Sequence, residues 1–330
     1  MKHQPSARRW ILLFGIAALA AACQRGGGAP APTVQEAVPP RPRPSAASPT
    51  LEELQNATYR GLEVGSGTVQ LTAGRWDGAP YVAGSAEHPA VRFVRDFRLT
   101  GSLGIRGEQH AGVLLAETTG GSGERLYLAV VQRQDGGLDN IGTALVGDRV
   151  QVRAGRIENR RILLDLVQAG PHDAMCCPGE LVTRGWEMQP AGLKEFATNT
   201  PSGRLTLDAI SGTEWVLRAW SWDDAAPTNP EVTLQVQDGR FAGRSGCNTY
   251  SAMAKVGDAP GDVILGPAIS TRMACAEPAA GIETRYLAQL QGIRKFGFVA
   301  GQLALTFEID GRLGSMFFDR RPVTPAASKP

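Results

Sequence analysis

The chain has 330 residues, enough for two domains behind a targeting segment. Its 34 Lys and Arg nearly balance 32 Asp and Glu, and the clusters Arg160-Arg161 and Arg320-Arg321 carry no interleaved aromatics, which excludes a basic nucleic-acid stripe. No P-loop, dinucleotide fingerprint, H-E-x-x-H or G-x-S-x-G occurs, so no familiar enzyme signature is present.

Lys2, Arg8 and Arg9 precede an apolar or small-residue run from Trp10 to Ala22. That run is too short for a permanent membrane span and reads as a signal peptide over residues 1–22. Leu19-Ala20-Ala21-Ala22-Cys23 resembles a bacterial lipobox, which implies that Cys23 is acylated and becomes the new N-terminus. The alternative is ordinary cleavage near Ala22, leaving Cys23 as a spare thiol. Gln24, where an aspartate would resemble an inner-membrane retention signal, implies an outer-membrane address facing the periplasm. Cleavage removes three basic groups and leaves 31 against 32 acidic ones, so the mature chain is close to neutral.

Residues 23–50 contain seven prolines and three consecutive glycines. Such a segment cannot bury enough apolar surface to offset its ordering entropy, and at ~3.1 Å per residue it reaches about 80 Å when extended. It reads as a tether. In residues 51–195, Leu51–Leu54 predicts one short helix with Thr50 as its N-cap. Apolar residues two apart then predict half-buried strands: Val69/Leu71, Val91/Phe93, Leu126/Leu128/Val130, Val150/Val152 and Ile162/Leu164/Leu166. Residues 196–204 form a polar link. Beyond it come strands at Trp215/Leu217/Ala219, Val232/Leu234/Val236 and Leu303/Leu305/Phe307/Ile309, with hairpin turns at Asp238-Gly239 and Asp310-Gly311. Ile282, Tyr286, Leu287, Leu290 and Ile293 share one face of a helix. The expected class is α+β: two β-rich domains, the C-terminal one an antiparallel sheet packed on one helix.

The order Gly212-Thr213-Glu214-Trp215, Gly243-Arg244-Ser245-Gly246-Cys247-Asn248-Thr249-Tyr250, Thr271-Arg272-Met273-Ala274-Cys275 and Tyr286-Leu287-Ala288-Gln289-Leu290 resembles a META (HslJ-like) domain over residues 205–322. The resemblance implies a small envelope-associated or secreted unit linked to stress response, with no general catalytic activity. Residues 51–195 resemble, more distantly, a module of bacterial lipoproteins of unknown role. That module's aspartate-rich loop is replaced here by Gly101–Gly107, which has no carboxylate to hold calcium.

Cys247 admits three readings. A nucleophile needs a base, yet the mature histidines, His88, His110 and His172, all lie in the other half. A metal site needs clustered ligands, and Cys247 and Cys275 stand 28 positions apart without histidine nearby. A staple suits an oxidising compartment. Cys247–Cys275 with Cys176–Cys177 is the simplest complete pairing, although the vicinal pair can also find separate partners or stay reduced, and connectivity stays open. Asp223-Asp224 and Glu283 offer a carboxylate pair in principle, but read as the start of a turn and a helix N-terminal acid. Trp215, Trp220 and Trp222 either line a binding cleft or, as near-strand spacing favours, fill or rim a core. No catalytic residue, metal or cofactor is assigned. The expected function is a non-enzymatic, lipid-anchored envelope protein for binding or stress tolerance, bound to the membrane by lipid and to an envelope protein or glycan. The alternative is a periplasmic redox or hydrolytic enzyme with its site near Cys176, Cys177 and His172.

Overall fold

The structure is a computed structural model that describes residues 47–104, 108–121, 123–134, 136–174, 176–196 and 201–321. These all belong to one compact unit, Pro42–Pro330; the other, Met1–Arg41, lies outside the described residues, as do the signal segment, Cys23 and most of the tether.

The helix Leu51–Gln55 begins with a reciprocal cap: Thr50 Oγ1 accepts from Glu53 N, and the Glu53 carboxylate accepts from Thr50 N. Its buried Leu54 offers a carbonyl to the buried Tyr59 hydroxyl at 2.8 Å. A five-stranded antiparallel meander follows: Arg75–Asp77, Ala90–Gly101, His110–Thr118, Arg125–Gln134 and Gly137–Asp148, bonded in chain order. Its fourth strand is buried without a break from Leu126 to Val131. Leu126, Leu128 and Val130 face a core shared with Leu164, Leu166 and Trp186, while Tyr127, Ala129 and Val131 face another shared with Leu54 and Tyr59. A strand covered on both faces keeps no polar side, so it is more buried than its alternation predicts.

A second antiparallel sheet takes Gln151–Glu158, Arg161–Gln168, Glu180–Gln189 and Gly192–Phe196. Pro201–Arg204, within the expected polar link, pairs with Glu180–Gln189. Val167 and Leu181 of this sheet enter the same core as Trp215.

The third sheet has ten strands. Its main path runs Val263–Leu265, Thr249–Val256, Arg240–Arg244, Thr233–Gln237, Glu214–Ser221, Arg312–Arg321, Gln302–Ile309 and Ile293–Val299. A bridge between Asp262 and Lys295, with Phe296 N donating to Gly261 O at 2.8 Å, joins one end to the other, so the sheet curls into a barrel. Asp238-Gly239 and Asp310-Gly311 all have positive φ, the backbone that two-residue hairpins demand.

The helix Ala279–Gln291 buries Tyr286 and Leu290 in the barrel core, with Ile282 and Leu287 half-buried beside them. Gly292 ends it, so Ile293 opens the next strand instead of extending the helical face. The expected α+β class is overturned: the described residues are 56% strand and 9% helical, a mostly β fold. A 13-residue helix is only about 20 Å long and cannot form a layer over ten strands. The sheet covers its inner face by closing on itself.

Candidate functional site

Strand Arg240–Arg244 ends in a turn that returns as Thr249–Val256, and this turn is the GRSGCNTY stretch. Gly246 adopts φ +102°, and a Cβ there would sit 2.8 Å from Ile282 Cγ2 on the helix. Glycine lets turn and helix touch. Across that contact, Asn248 N and Nδ2 donate to the two oxygens of Glu283 at 2.7 and 3.1 Å. Asn248 Nδ2 also donates to Met273 O (3.3 Å), while its Oδ1 accepts from Thr271 Oγ1 (2.7 Å) and Met273 N (2.8 Å). All four hydrogen-bonding capacities of the amide are used inside the protein. Ser245 Oγ lies 2.8 Å from both Glu283 Oε2 and Asn248 O, and its one proton serves the two.

Below this layer, Tyr250 donates to Thr233 O at 3.1 Å and meets Tyr286 of the helix at 2.6 Å between hydroxyls. Burial pushes both phenols above their ordinary value, so neither becomes a phenolate near neutral pH. Cys247 is disulfide-bonded to Cys275, with Cα atoms 6.1 Å apart. The cluster thus fastens a turn, the 271–275 segment and the helix to one another. Its donors and acceptors face inward.

The sequence reading places Glu283 near a helix start but misses its partners. The signal was there in part: a helical acid with G-C-N and T-x-M segments upstream. It does not join Asp223-Asp224 as a carboxylate pair: both its oxygens accept from Asn248 and Ser245, while Asp224 pairs with Arg285 at 2.6 Å.

Cys176 and Cys177 are bonded to each other in the turn between Arg161–Gln168 and Glu180–Gln189. Cys176 is exposed, and Lys295 Nζ lies 3.8 Å from Cys177 Sγ. Asp173 closes this turn by accepting from Gly170 N (2.8 Å) and Gly179 N (2.9 Å) and by pairing with Arg204. The Arg204 guanidinium, helped by those amides, holds its carboxyl down to about 2. His172 is exposed on the same turn, and no hydrogen bond joins it to either cysteine among the described residues. His110 is buried, with Nδ1 accepting from Leu103 N at 3.2 Å, and His88 Nε2 lies 3.1 Å from Asp77. Among the described residues no group of three or more His, Cys, Asp or Glu is placed to hold a metal ion.

The three tryptophans part company. Trp215 and Trp220 are buried, Trp215 donating to Ile210 O at 3.1 Å. Pairing slips around Leu217 and Ala219, which shifts the inward phase from Leu217 to Trp220. The turn after Ser221 then carries Trp222 outward, 68% exposed, against Phe317 with ring centroids 4.3 Å apart.

The C-terminal half is therefore a disulfide-stapled antiparallel barrel with one helix clamped to it by a buried polar cluster. Residues 208–316 match the family model of the META domain, and the chain carries a META domain in this part. An NMR structure of a protein from Burkholderia xenovorans is similar at 26% identity, covering 38% of this chain and 96% of that one, with a TM-score of 0.28. No curated protein matches.

Proposed function

We propose that the chain is a non-enzymatic, lipid-anchored protein of the bacterial cell envelope, held at the outer membrane through Cys23, facing the periplasm and acting by binding. The META domain over residues 208–316 carries this reading. The Cys247–Cys275 bond suits an oxidising compartment. The polar groups of the Asn248–Glu283 cluster are consumed by one another, which fits a scaffold better than a reacting centre. Cys23→Ala should move the protein from the membrane fraction to the soluble one, because acylation needs that thiol. If the variant still pellets and needs detergent for release, the anchor reading falls.

A second reading has its own observation. The exposed Cys176–Cys177 bond with Lys295 at 3.8 Å from Cys177 Sγ suits dithiol exchange, since a nearby cation favours the thiolate. Selective alkylation of Cys176 and Cys177 after mild treatment with a periplasmic-type dithiol, with Cys247 and Cys275 spared, is its expected outcome.

A further inference from the structure

Trp222 is 68% exposed while Trp186, Trp215 and Trp220 are buried. It is braced rather than loose, because Phe317 beneath it is itself buried. The indole stands as a ridge between two shallow depressions. One is edged by Asp96, Arg218, Asp223 and Gln302. The other has Gln151, Thr306 and Lys295 on its wall, the lysine 3.8 Å from Asp262.

Irregular strand pairing builds the first depression from both halves of the chain. Pairing of Ala90–Gly101 with its neighbour breaks between Phe93 and Arg98, and Asp96 lies in that break. Pairing of Glu214–Ser221 slips between Ala219 and Ser221, just before Trp222 and Asp223. Such irregularities re-aim side chains. The Asp96 and Asp223 carboxylates are exposed and take no hydrogen bond or ion pair among the described residues. Gln302 spends its amide nitrogen on Asp319 at 2.7 Å, which leaves its oxygen to accept. Arg218 brings donors, its Nε 3.7 Å from Asp319.

We propose that Trp222 is the platform of a saccharide-binding site that takes an uncharged pyranose chain. This names the ligand class of the envelope-binding reading and rests on it. A pyranose ring has an apolar C–H face and a rim of hydroxyls that both donate and accept. The indole offers the matching flat apolar surface, and Asp96, Asp223 and Gln302 offer acceptors at its edge. Arg218 and Lys295 already face Asp319 and Asp262, so the unpaired Asp96 and Asp223 carboxylates set the local charge and repel uronate and phosphate-bearing glycans. A protein partner fits less well, because Trp222 is the one exposed large apolar side chain among those lining the two depressions, too little for the apolar centre of a stable interface.

The test uses the full chain in a detergent without a sugar headgroup. Acrylamide quenching of tryptophan fluorescence is followed against cellotriose and N,N′,N″-triacetylchitotriose, which are uncharged, and trigalacturonate, which is anionic. An uncharged trisaccharide should protect Trp222 saturably, and trigalacturonate should not. By calorimetry, Trp222→Ala should weaken binding about tenfold or more, with Trp222→Tyr between it and the parent. Asp96→Asn and Asp223→Asn should weaken binding severalfold at an unchanged thermal midpoint. The site is overturned if neither uncharged sugar protects, if Trp222→Ala binds as well as the parent, or if protection comes from trigalacturonate alone. Protection that rises with protein concentration in the absence of sugar also overturns it, since a second copy then covers the indole. Absence of sugar binding by the parent, with Cys23-dependent fractionation intact, refutes this site and leaves the anchoring reading standing.

Discussion

Asn248 has no spare valence: two donors and two acceptors all end on protein groups. Asn248→Asp keeps the shape but turns an oxygen toward Glu283 and the Met273 carbonyl where hydrogens stood. We expect a loss of about 3 kcal/mol, against about 1–2 kcal/mol for Thr271→Val, which removes the neutral hydrogen bond to Asn248 and an exposed one from Thr249 N. Equal urea midpoints for the two variants would refute the clamp. His110 responds to pH rather than to shape. Burial pulls its imidazole below the ordinary value, so the unfolded chain takes up a proton first as pH falls. Its contribution is complete above the unfolded value of about 6.5 and is lost as pH drops through the lowered folded one. The urea midpoint of the parent should therefore fall between pH 7.5 and 5.5 by more than that of His110→Gln; parallel falls refute the assignment.

Among the elements, the helix Ala279–Gln291 owes its place to two kinds of attachment, buried side chains and the cluster at the GRSGCNTY turn. The Cys247–Cys275 bond closes a loop of separation 28 beside it. Cys247→Ala and Cys275→Ala should each cost about 2–4 kcal/mol, and the double change little more, since either one already opens the loop. A double variant near twice either single one would show that the two thiols act separately. The helix and both hairpins were legible because their signals are local: i, i+4 spacing, and glycine after aspartate. The clamp was not, because Glu283 and Asn248 stand 35 positions apart and only the folded chain shows whose hydrogen bonds are complete. Trp222 was singled out with Trp215 and Trp220, but not told apart from them for a related reason. Neither the slipped pairing nor the turn after Ser221 leaves a period to read.

At the scale of the whole molecule, the barrel was invisible in the sequence because its closing segment, Val263–Leu265, is three residues long and too short to alternate. What replaces an outer helical layer is sheet closed on sheet in one part and sheet packed on sheet in the other. The strand Arg125–Gln134 lies deepest in this arrangement, bonded along both edges and covered on both faces. Its amides can meet solvent only when the surrounding unit opens as a whole. Moved into heavy water, the protein should label first at exposed turns, such as the one carrying Cys176. The amides of Leu126 to Val131 should keep their original hydrogen longest and exchange at a rate set by global opening. Mass spectrometry of peptic fragments reads this order, and early deuteration of that stretch would place the last-opening part of the molecule elsewhere. The continuous apolar run Leu126–Val131 thus acts as an isotopic clock for the lifetime of the native state.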